Sequence, residues 1–122
     1  MTLAVTSLGK TLESPIDQRF GRARFFVVVD LETDQWYAED NTQNLEAAEG
    51  AGIQAAQFVA NLGVKGVITG HCGPNAFATL TSADIEVYPD ATGTVRDAVN
   101  AYNEGLLKRS MNADVEAGHG AR

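Results

Sequence analysis

The stretch Arg24-Phe25-Phe26-Val27-Val28-Val29-Asp30 is a continuous apolar run between one basic and one acidic residue. Such a run is typical of a strand that is buried on both faces. Glu32-Thr33-Asp34 follows as a tight turn, and Gln35-Trp36-Tyr37-Ala38-Glu39 returns as the next strand. The two strands therefore form an antiparallel hairpin, and the remaining elements are placed around it.

Three more strands and three helices are predicted on either side of the hairpin. The strands cover residues 3–6, 64–70 and 84–88, where short apolar and β-branched runs occur. Apolar residues recur at helical spacing in residues 50–62, 74–80 and 94–104, with Thr94 as the expected N-cap of the last helix. We expect one α/β domain over residues 1–106 and a flexible tail over residues 107–122.

The order of the elements predicts the topology of the sheet. Strands 1, 4 and 5 are linked through helices, and right-handed crossovers place strand 4 beside strand 1 and strand 5 outside it. The hairpin takes the other side, which gives a five-stranded mixed sheet of order 3-2-1-4-5 with strand 2 antiparallel. The loop 7–21, the segment 41–52 and the turns 70–74 and 89–94 then meet at one edge. This edge is the switch point where α/β sheets bind ligands.

Charge is unevenly distributed along the chain. Sixteen acidic and nine basic residues give a net charge of −7, which argues against a general nucleic-acid binder or a protein held to an anionic membrane. Residues 10–24 hold four basic and two acidic residues, a net charge of +2, whereas the rest carries −9. The basic residues are Lys10, Arg19, Arg22 and Arg24. This local positive charge favours a binding site for a small anion over a broad surface for a polyanion. The alternative is a solvent-exposed loop whose charges bind nothing specific.

Composition sets further limits. The single cysteine excludes an internal disulfide and any site built from four cysteines of one chain. The N-terminus has no basic region and too short an apolar stretch for a signal peptide, and no apolar run approaches the ~18 residues of a membrane span. We therefore expect a cytoplasmic protein.

The turn Gly70-His71-Cys72-Gly73-Pro74 has several features of a ligand site. Pro74 suits the first position of a helix, whose free N–H groups favour an anion. Gly70 and Gly73 would let the backbone approach a ligand closely. His71 and Cys72 are candidate metal ligands, against the plainer interpretations of a hydrogen-bonded turn histidine and a buried cysteine.

Three separated motifs together resemble a known family. They are Asp17-Gln18-Arg19-Phe20-Gly21-Arg22-Ala23, Gly50-Ala51-Gly52-Ile53-Gln54-Ala55-Ala56 and Gly70-His71-Cys72-Gly73-Pro74-Asn75-Ala76-Phe77. In this order they resemble the dinitrogenase iron–molybdenum cofactor biosynthesis family over roughly residues 1–106. The resemblance implies a ribonuclease H-like three-layer fold with helices on both faces of the sheet. It also implies a non-catalytic carrier of a molybdenum-containing metal–sulfur cluster.

The resemblance extends to a branch and to individual residues. The compact chain is similar to the orange-protein branch, which holds a Mo–Cu–S cluster non-covalently, and this composition is favoured over Fe–Mo–S. Residues 7–24 contain no histidine, so ion pairing is expected there rather than coordination. Phe20 and Phe77 are candidates to wall the cluster from water, against plain core packing. The expected cluster-binding residues are Lys10, Arg19, Phe20, Gly21, Arg22, Arg24, Gly70, Gly73, Pro74 and Asn75, with Cys72 and His71 as metal ligands.

The main alternative is a small phosphate- or nucleotide-binding regulatory protein. Gly50-Ala51-Gly52-Ile53-Gln54-Ala55 matches a dinucleotide fingerprint by letter, but no strand precedes it, so its glycines are interpreted as close packing of a helix on the sheet. A metal-dependent nuclease is disfavoured because strand 1 carries no carboxylate. The expected partners are the cluster and a protein that donates or accepts it, with no nucleic acid or membrane. We expect a monomer or a weak homodimer.

Overall fold

A computed structural model describes residues 1–45 and 50–111 of the chain. Its centre is a five-stranded mixed sheet in the order β3-β2-β1-β4-β5. The strands are β1 Thr2–Ser7, β2 Phe25–Asp30, β3 Trp36–Asp40, β4 Gly66–Ile68 and β5 Glu86–Tyr88. The predicted order is confirmed, and so is the reversed direction of strand 2.

The strand pairing shows how the apolar run of β2 is used. β2 pairs antiparallel with both β1 and β3, so that Val27 lies opposite Val5 on one side and Ala38 on the other. β1 also pairs in parallel with β4, and β4 pairs in parallel with β5. The run is therefore continuous because β2 has a neighbour on each side and packing on both faces.

Helices cover both faces of the sheet, as the resemblance implies. The helices are α1 Thr42–Leu45, α2 Ala51–Asn61, α3 Pro74–Ser82 and α4 Val95–Asn103. One core cluster joins Phe26 and Val28 of the sheet to α2 and α3, through residues such as Val59 and Leu80. The opposite cluster joins Val27 and Val29 to α4. The alternating side chains of β2 thus fill two separate core layers.

Several boundaries differ from the expectation. The predicted strand over residues 84–88 begins at Glu86, because Asp84 has a left-handed backbone with φ of 61°. The predicted strand over residues 64–70 is limited to Gly66–Ile68. The short helix α1 was not predicted. Thr94 is confirmed as the N-cap of α4, where its hydroxyl and the Asp97 carboxylate form a complete capping box.

The C-terminal part of the described chain lies against the domain. Ser110 donates its backbone N–H to the Val87 carbonyl at 2.8 Å, and Leu107 packs against the α4 side of the core. Residues 107–111 therefore contact the sheet, although they fall within the predicted tail. The rest of that tail, residues 112–122, lies outside the described residues. None of the helices in the described part combines the length and apolarity needed to cross a bilayer.

Candidate functional site

The three sequence motifs meet at the edge of the sheet where β1, β3, β4 and β5 end. Phe20 donates its backbone N–H to the His71 carbonyl at 3.0 Å, and Arg19 forms an isolated β-bridge with His71. The same loop reaches the start of α2, since Gly21 packs on Gly52. A loop, a helix start and a turn far apart in the sequence therefore form one contiguous surface.

A cavity of about 200 Å³ lies between these three segments. It is lined by residues at the start of α2 and α3 and by one residue of the basic loop, which we define as residues 10–24 with their four basic side chains. Its lining residues are Gly21, Gly50, Gly52, Ile53, Gly73, Pro74, Asn75 and Ala76. Half of them are glycines, so backbone forms much of the wall.

Close backbone packing accounts for two of these glycines. A Cβ atom on Gly21 would lie 2.8 Å from the Cα atom of Gly52, a distance that real side chains do not adopt. A Cβ atom on Gly52 would lie 3.3 Å from the Cβ atom of Ala76. The loop, α2 and α3 are thus stacked with almost no space for side chains, which holds the cavity walls together.

Gly73 has no such explanation in the fold. It is the N-cap of α3 with an extended backbone, φ −71° and ψ 173°, that any residue can adopt. A Cβ atom added there would meet no atom within 4 Å. Serine, threonine, aspartate or asparagine would cap the helix better than glycine. The fold therefore does not require this glycine, whereas a ligand that approaches the helix N-terminus would.

The N-termini of α2 and α3 differ from that of α4. Neither Gly50 nor Gly73 provides a side-chain cap, and neither helix has an acidic residue in its first turn. At α4, by contrast, Thr94 and Asp97 form the capping box, and the carbonyls of Ser14 and Leu12 accept the next N–H groups. The first N–H groups of α4 therefore have partners within the protein, whereas the N-termini of α2 and α3, with their partial positive charge, lie at the cavity.

Asp17 organises the basic loop from inside the protein. Its side chain is 3% exposed and accepts the backbone N–H of Arg19 at 3.1 Å and of Arg24 at 3.2 Å. Its own backbone is held by Thr6, which accepts the Asp17 N–H and donates its hydroxyl to the Asp17 carbonyl. The buried carboxylate thus stabilises the loop in a conformation that leaves the arginine side chains at the surface.

The four basic residues split into two pairs. Arg22 follows Gly21 of the cavity wall and is exposed, and the Arg19 side chain is 62% exposed, 3.6 Å from the Asp17 carboxylate. Lys10 instead lies over the Phe25 ring, 5.5 Å from its centroid. Hydrogen bonds from Thr42, and then the charges of Lys10 and Arg24, hold the pKa of Asp40 below its usual value. Lys10 and Arg24 are therefore the second pair, and their charges act on Asp40 of β3.

The other predicted site residues are divided between cavity and core. Gly21, Gly73, Pro74 and Asn75 line the cavity. Gly70 makes room for the loop, since a Cβ atom there would lie 2.8 Å from the Gln18 Cα atom. His71 is exposed on the neighbouring turn.

Three predicted side chains face the core instead. Phe20 and Cys72 are each 1% exposed within the core cluster of α2 and α3, and Phe20 packs on Phe26 at 5.5 Å between ring centroids. Phe77 packs on the same core and lines a separate small cavity beside β5. Among the described residues, no group of three or more His, Cys, Asp or Glu side chains is placed to hold a metal.

Comparison with protein families identifies the chain. The family model described as dinitrogenase iron-molybdenum cofactor matches residues 1–105. The chain belongs to this family. The match ends within two residues of the last helix, so it spans the whole sheet and the helices around it.

Two solved structures and one sequence relative agree with this membership. The apo form of the orange protein from Desulfovibrio gigas is 40% identical, with a TM-score of 0.90 over 92% of this chain and 94% of that one. A putative NifB protein from Thermotoga is 36% identical, with a TM-score of 0.78 over 88% and 91%. An uncharacterized protein of Methanocaldococcus jannaschii is 28% identical over 102 residues, 78% of this chain and 86% of that protein.

The site residues expected from the sequence did not include the first turn of α2. Gly50, Gly52 and Ile53 line the cavity, although the glycines were expected to serve only close packing. Gly52 does both, since it packs on Ala76 and borders the cavity. The signal was present as a glycine pair at a helix start, but only the fold shows that this start lies beside that of α3.

Proposed function

We propose that this chain binds and carries a molybdenum-containing metal–sulfide cluster as cargo, without turning it over. The observation that carries the proposal is the convergence of the three motifs on a glycine-lined cavity at the N-termini of two helices, whose N-cap residues Gly50 and Gly73 provide no side-chain cap. The family description names an iron–molybdenum cofactor, and the orange protein from Desulfovibrio gigas shares the fold at 40% identity. Both support a metal–sulfur cargo, which a donor protein would supply and an acceptor protein would receive.

The dimensions of the cavity favour a compact anion. Its volume of about 200 Å³ is below the roughly 300–1,000 Å³ usual for pockets that take organic ligands. Thiometallate ions and small metal–sulfide clusters are compact and negatively charged. Part of such a cluster would fit between Gly52 and Gly73, and the rest would extend toward the exposed Arg19 and Arg22.

Backbone and guanidinium groups would hold the cargo. Both helix N-termini border the cavity, so the backbone N–H groups of their first turns, other than Pro74, would donate to the cargo as helix N-termini do to phosphate. Guanidinium groups remain charged at any physiological pH and donate several hydrogen bonds at once, which suits the dispersed charge of sulfide ligands. Because Gly73 carries no side chain, and a Cβ atom there would meet no protein atom within 4 Å, the cluster would reach the backbone directly.

The donor set fits non-covalent binding better than coordination by the protein. The Cys72 thiol faces the core, and His71 is an exposed histidine with no third ligand among the described residues. A Mo–Cu–S cluster, whose metals are bridged by its own sulfides, therefore suits the site better than a cluster that needs protein thiolates. Few coordinate bonds would then break on release, as a carrier requires.

A small phosphate-bearing ligand is the second candidate. Uncapped helix N-termini bind phosphate as readily as other anions, so inorganic phosphate would fit the same cavity. A nucleotide would have to leave its base outside a cavity of this volume. The two candidates therefore predict different ligands at the same residues and can be separated directly.

Anaerobic reconstitution tests the proposal. The chain would be incubated with tetrathiomolybdate plus Cu(I), or tetrathiomolybdate plus Fe(II), and desalted before visible spectra and metal analysis. Tetraoxomolybdate and inorganic phosphate serve as comparison ligands in thermal-shift measurements. We expect a coloured protein with stoichiometric molybdenum, whereas a colourless metal-free protein, or a shift with phosphate alone, would overturn the assignment.

Matched charge variants locate the binding. Arg22→Gln removes a positive charge from the exposed residue that follows Gly21 of the cavity wall, and Lys65→Gln removes one from the exposed turn at the opposite end of the strands. We expect the first variant to retain less cluster after desalting and the second to match the unmodified chain. Equal loss in both would show that overall charge, and not this site, governs binding.

A further inference from the structure

The sheet has two outer strands, β5 and β3, and in the described part of the chain only β5 has a further segment of backbone beside it. At β5, the Ser110 N–H bonds to the Val87 carbonyl and Arg109 lies 3.7 Å from Glu86, so residues 109–110 run along this edge. At the other edge, β3 pairs with β2 and with no other described strand. An open strand edge can accept a strand from another chain.

The register shows which backbone groups of β3 point outward. Asp30 donates its N–H to the Gln35 carbonyl at 2.8 Å, and Asn41 donates to the Arg24 carbonyl at 3.0 Å. Hydrogen-bonded pairs alternate along an antiparallel ladder, so every second residue between these two bonds turns its N–H and C=O away from β2. Those residues are Trp36, Ala38 and Asp40.

Exposed aromatic side chains flank this open edge. Trp36 is 40% exposed and Tyr37 is 45% exposed, and as neighbours on a strand they lie on opposite faces. Both border a groove of about 230 Å³ that also includes Val28 of β2. A strand added to β3 would therefore have an aromatic surface available on each side.

The charge of the hairpin indicates the kind of chain that fits. The sequence has no Lys or Arg from residue 25 to residue 64, and the two basic residues whose charges act on β3, Lys10 and Arg24, do so at its Asp40 end. A hydrogen bond from the Glu32 backbone lowers the pKa of Asp30, which keeps that carboxylate ionised. Two copies of this hairpin would repel each other, whereas a basic segment would be attracted. The carboxylates of the hairpin are Asp30, Glu32, Asp34, Glu39 and Asp40.

We propose that β3 is a docking strand for a partner protein that presents an extended segment rich in Lys or Arg. The segment would add to the sheet through the outward groups of β3 and would cover Trp36 and Tyr37. β3 continues directly into Asn41, whose side-chain amide donates to the Ala23 carbonyl of the basic loop at 2.8 Å. A docked partner would therefore reach the rim of the cavity, but its binding does not depend on any cargo being present.

A peptide titration tests the interface on the cargo-free chain. The probe is a synthetic peptide of alternating Lys and Val with blocked ends, and the matched peptide has Glu in place of Lys. Trp36 is the only tryptophan, so its fluorescence reports directly on this edge. We expect a saturable blue shift and slower amide exchange at Ala38 with the Lys peptide alone. No shift up to its solubility limit, an equal response to the Glu peptide, or self-pairing of the chain through β3 would overturn the proposal.

Two variants separate strand addition from general attraction. Ala38→Pro removes an outward N–H without removing a bond to β2, a position where edge strands tolerate proline. We expect its affinity for the Lys peptide to fall at least fivefold. Glu39→Lys, which keeps the backbone intact, should weaken binding by a similar factor, whereas Glu104→Lys on the exposed end of α4 should not. Unchanged binding in a folded Ala38→Pro chain and in Glu39→Lys would exclude the docking strand.

Discussion

Gly21 and Gly52 touch backbone to backbone, since a Cβ atom on Gly21 would lie 2.8 Å from the Gly52 Cα atom. One glycine belongs to the basic loop and the other to the first turn of α2, so this contact joins two of the three motifs. The neighbouring contact of Gly52 with Ala76 adds the third. The cavity wall is therefore a stack of small residues whose spacing depends on each member.

Enlarging Gly21 is expected to destabilise the fold. Gly21→Ala forces the loop away from α2 and should lower the free energy of unfolding by about 1–3 kcal/mol, the usual cost of overpacking. Gly73→Ala adds the same methyl group where no atom lies within 4 Å, and should change stability by less than about 1 kcal/mol, because the smaller freedom of the unfolded chain favours alanine whereas the N-cap position favours glycine. Urea unfolding of both variants measures the difference, and equal values would contradict the packing argument.

A negative charge at position 73 is expected to reduce the amount of cargo that the chain retains. Gly73→Asp and Gly73→Asn both supply a side-chain cap for α3 and differ mainly in one negative charge. Both should be as stable as the unmodified chain or a few tenths of a kcal/mol more stable, because these residues cap helices better than glycine. Molybdenum retained after reconstitution should fall in both and almost vanish with Asp. Full retention in the Asp variant would show that the cargo does not approach this helix N-terminus.

Asp17 is expected to hold the basic loop in place. Asp17→Asn replaces an acceptor of two backbone N–H groups with an amide that can accept at only one oxygen. The buried mismatch should cost about 1–3 kcal/mol. Amide exchange at Arg19 and Arg24 should accelerate more than exchange in β1. Asp84→Asn, at an exposed left-handed position that asparagine also tolerates, is the matched control and should change neither measurement.

Removal of the Cys72 thiol is expected to affect stability but not cargo. The side chain is 1% exposed in the core, so Cys72→Ala should lower the free energy of unfolding by about 1 kcal/mol through lost packing. The reconstituted protein should retain the molybdenum content and visible spectrum of the unmodified chain. Loss of the cluster from the folded variant would instead show that the thiol turns outward and coordinates a metal.

Much of the architecture was predictable because its signals are local. The apolar run of β2, the turn after it and the helical spacing of Val95 and Ala98 each follow from side chains close in sequence. The handedness of crossovers then left one strand order. Boundaries were less accurate where a backbone conformation decided them, as at Asp84.

The site was predictable only in part because side-chain direction depends on packing between distant segments. Cys72 lies in the turn that the sequence selected, yet its side chain is buried in the core, and its thiol donates to the Gly73 carbonyl at 3.8 Å. Lys10 is one of the four basic residues between residues 10 and 24, but its ammonium group lies over the Phe25 ring. No local pattern distinguishes these orientations. The role of Gly52 likewise became visible only once α2 and α3 were placed side by side.

The loop between β1 and β2 is hydrogen-bonded to the rest of the protein at its middle, and this affects how fast cargo can enter and leave the site. Ile16 donates its N–H to the Gly93 carbonyl, and Asp17 donates to Thr6, so the loop is divided into two independent spans. The span before Ile16 covers the N-terminus of α4, where Arg96 donates to the Glu13 carboxylate. This span does not have to open when cargo enters. Only residues 18–24 would have to move, and a short span loses little entropy on closing again. Loading and unloading would then be local events, decoupled in rate from unfolding of the domain.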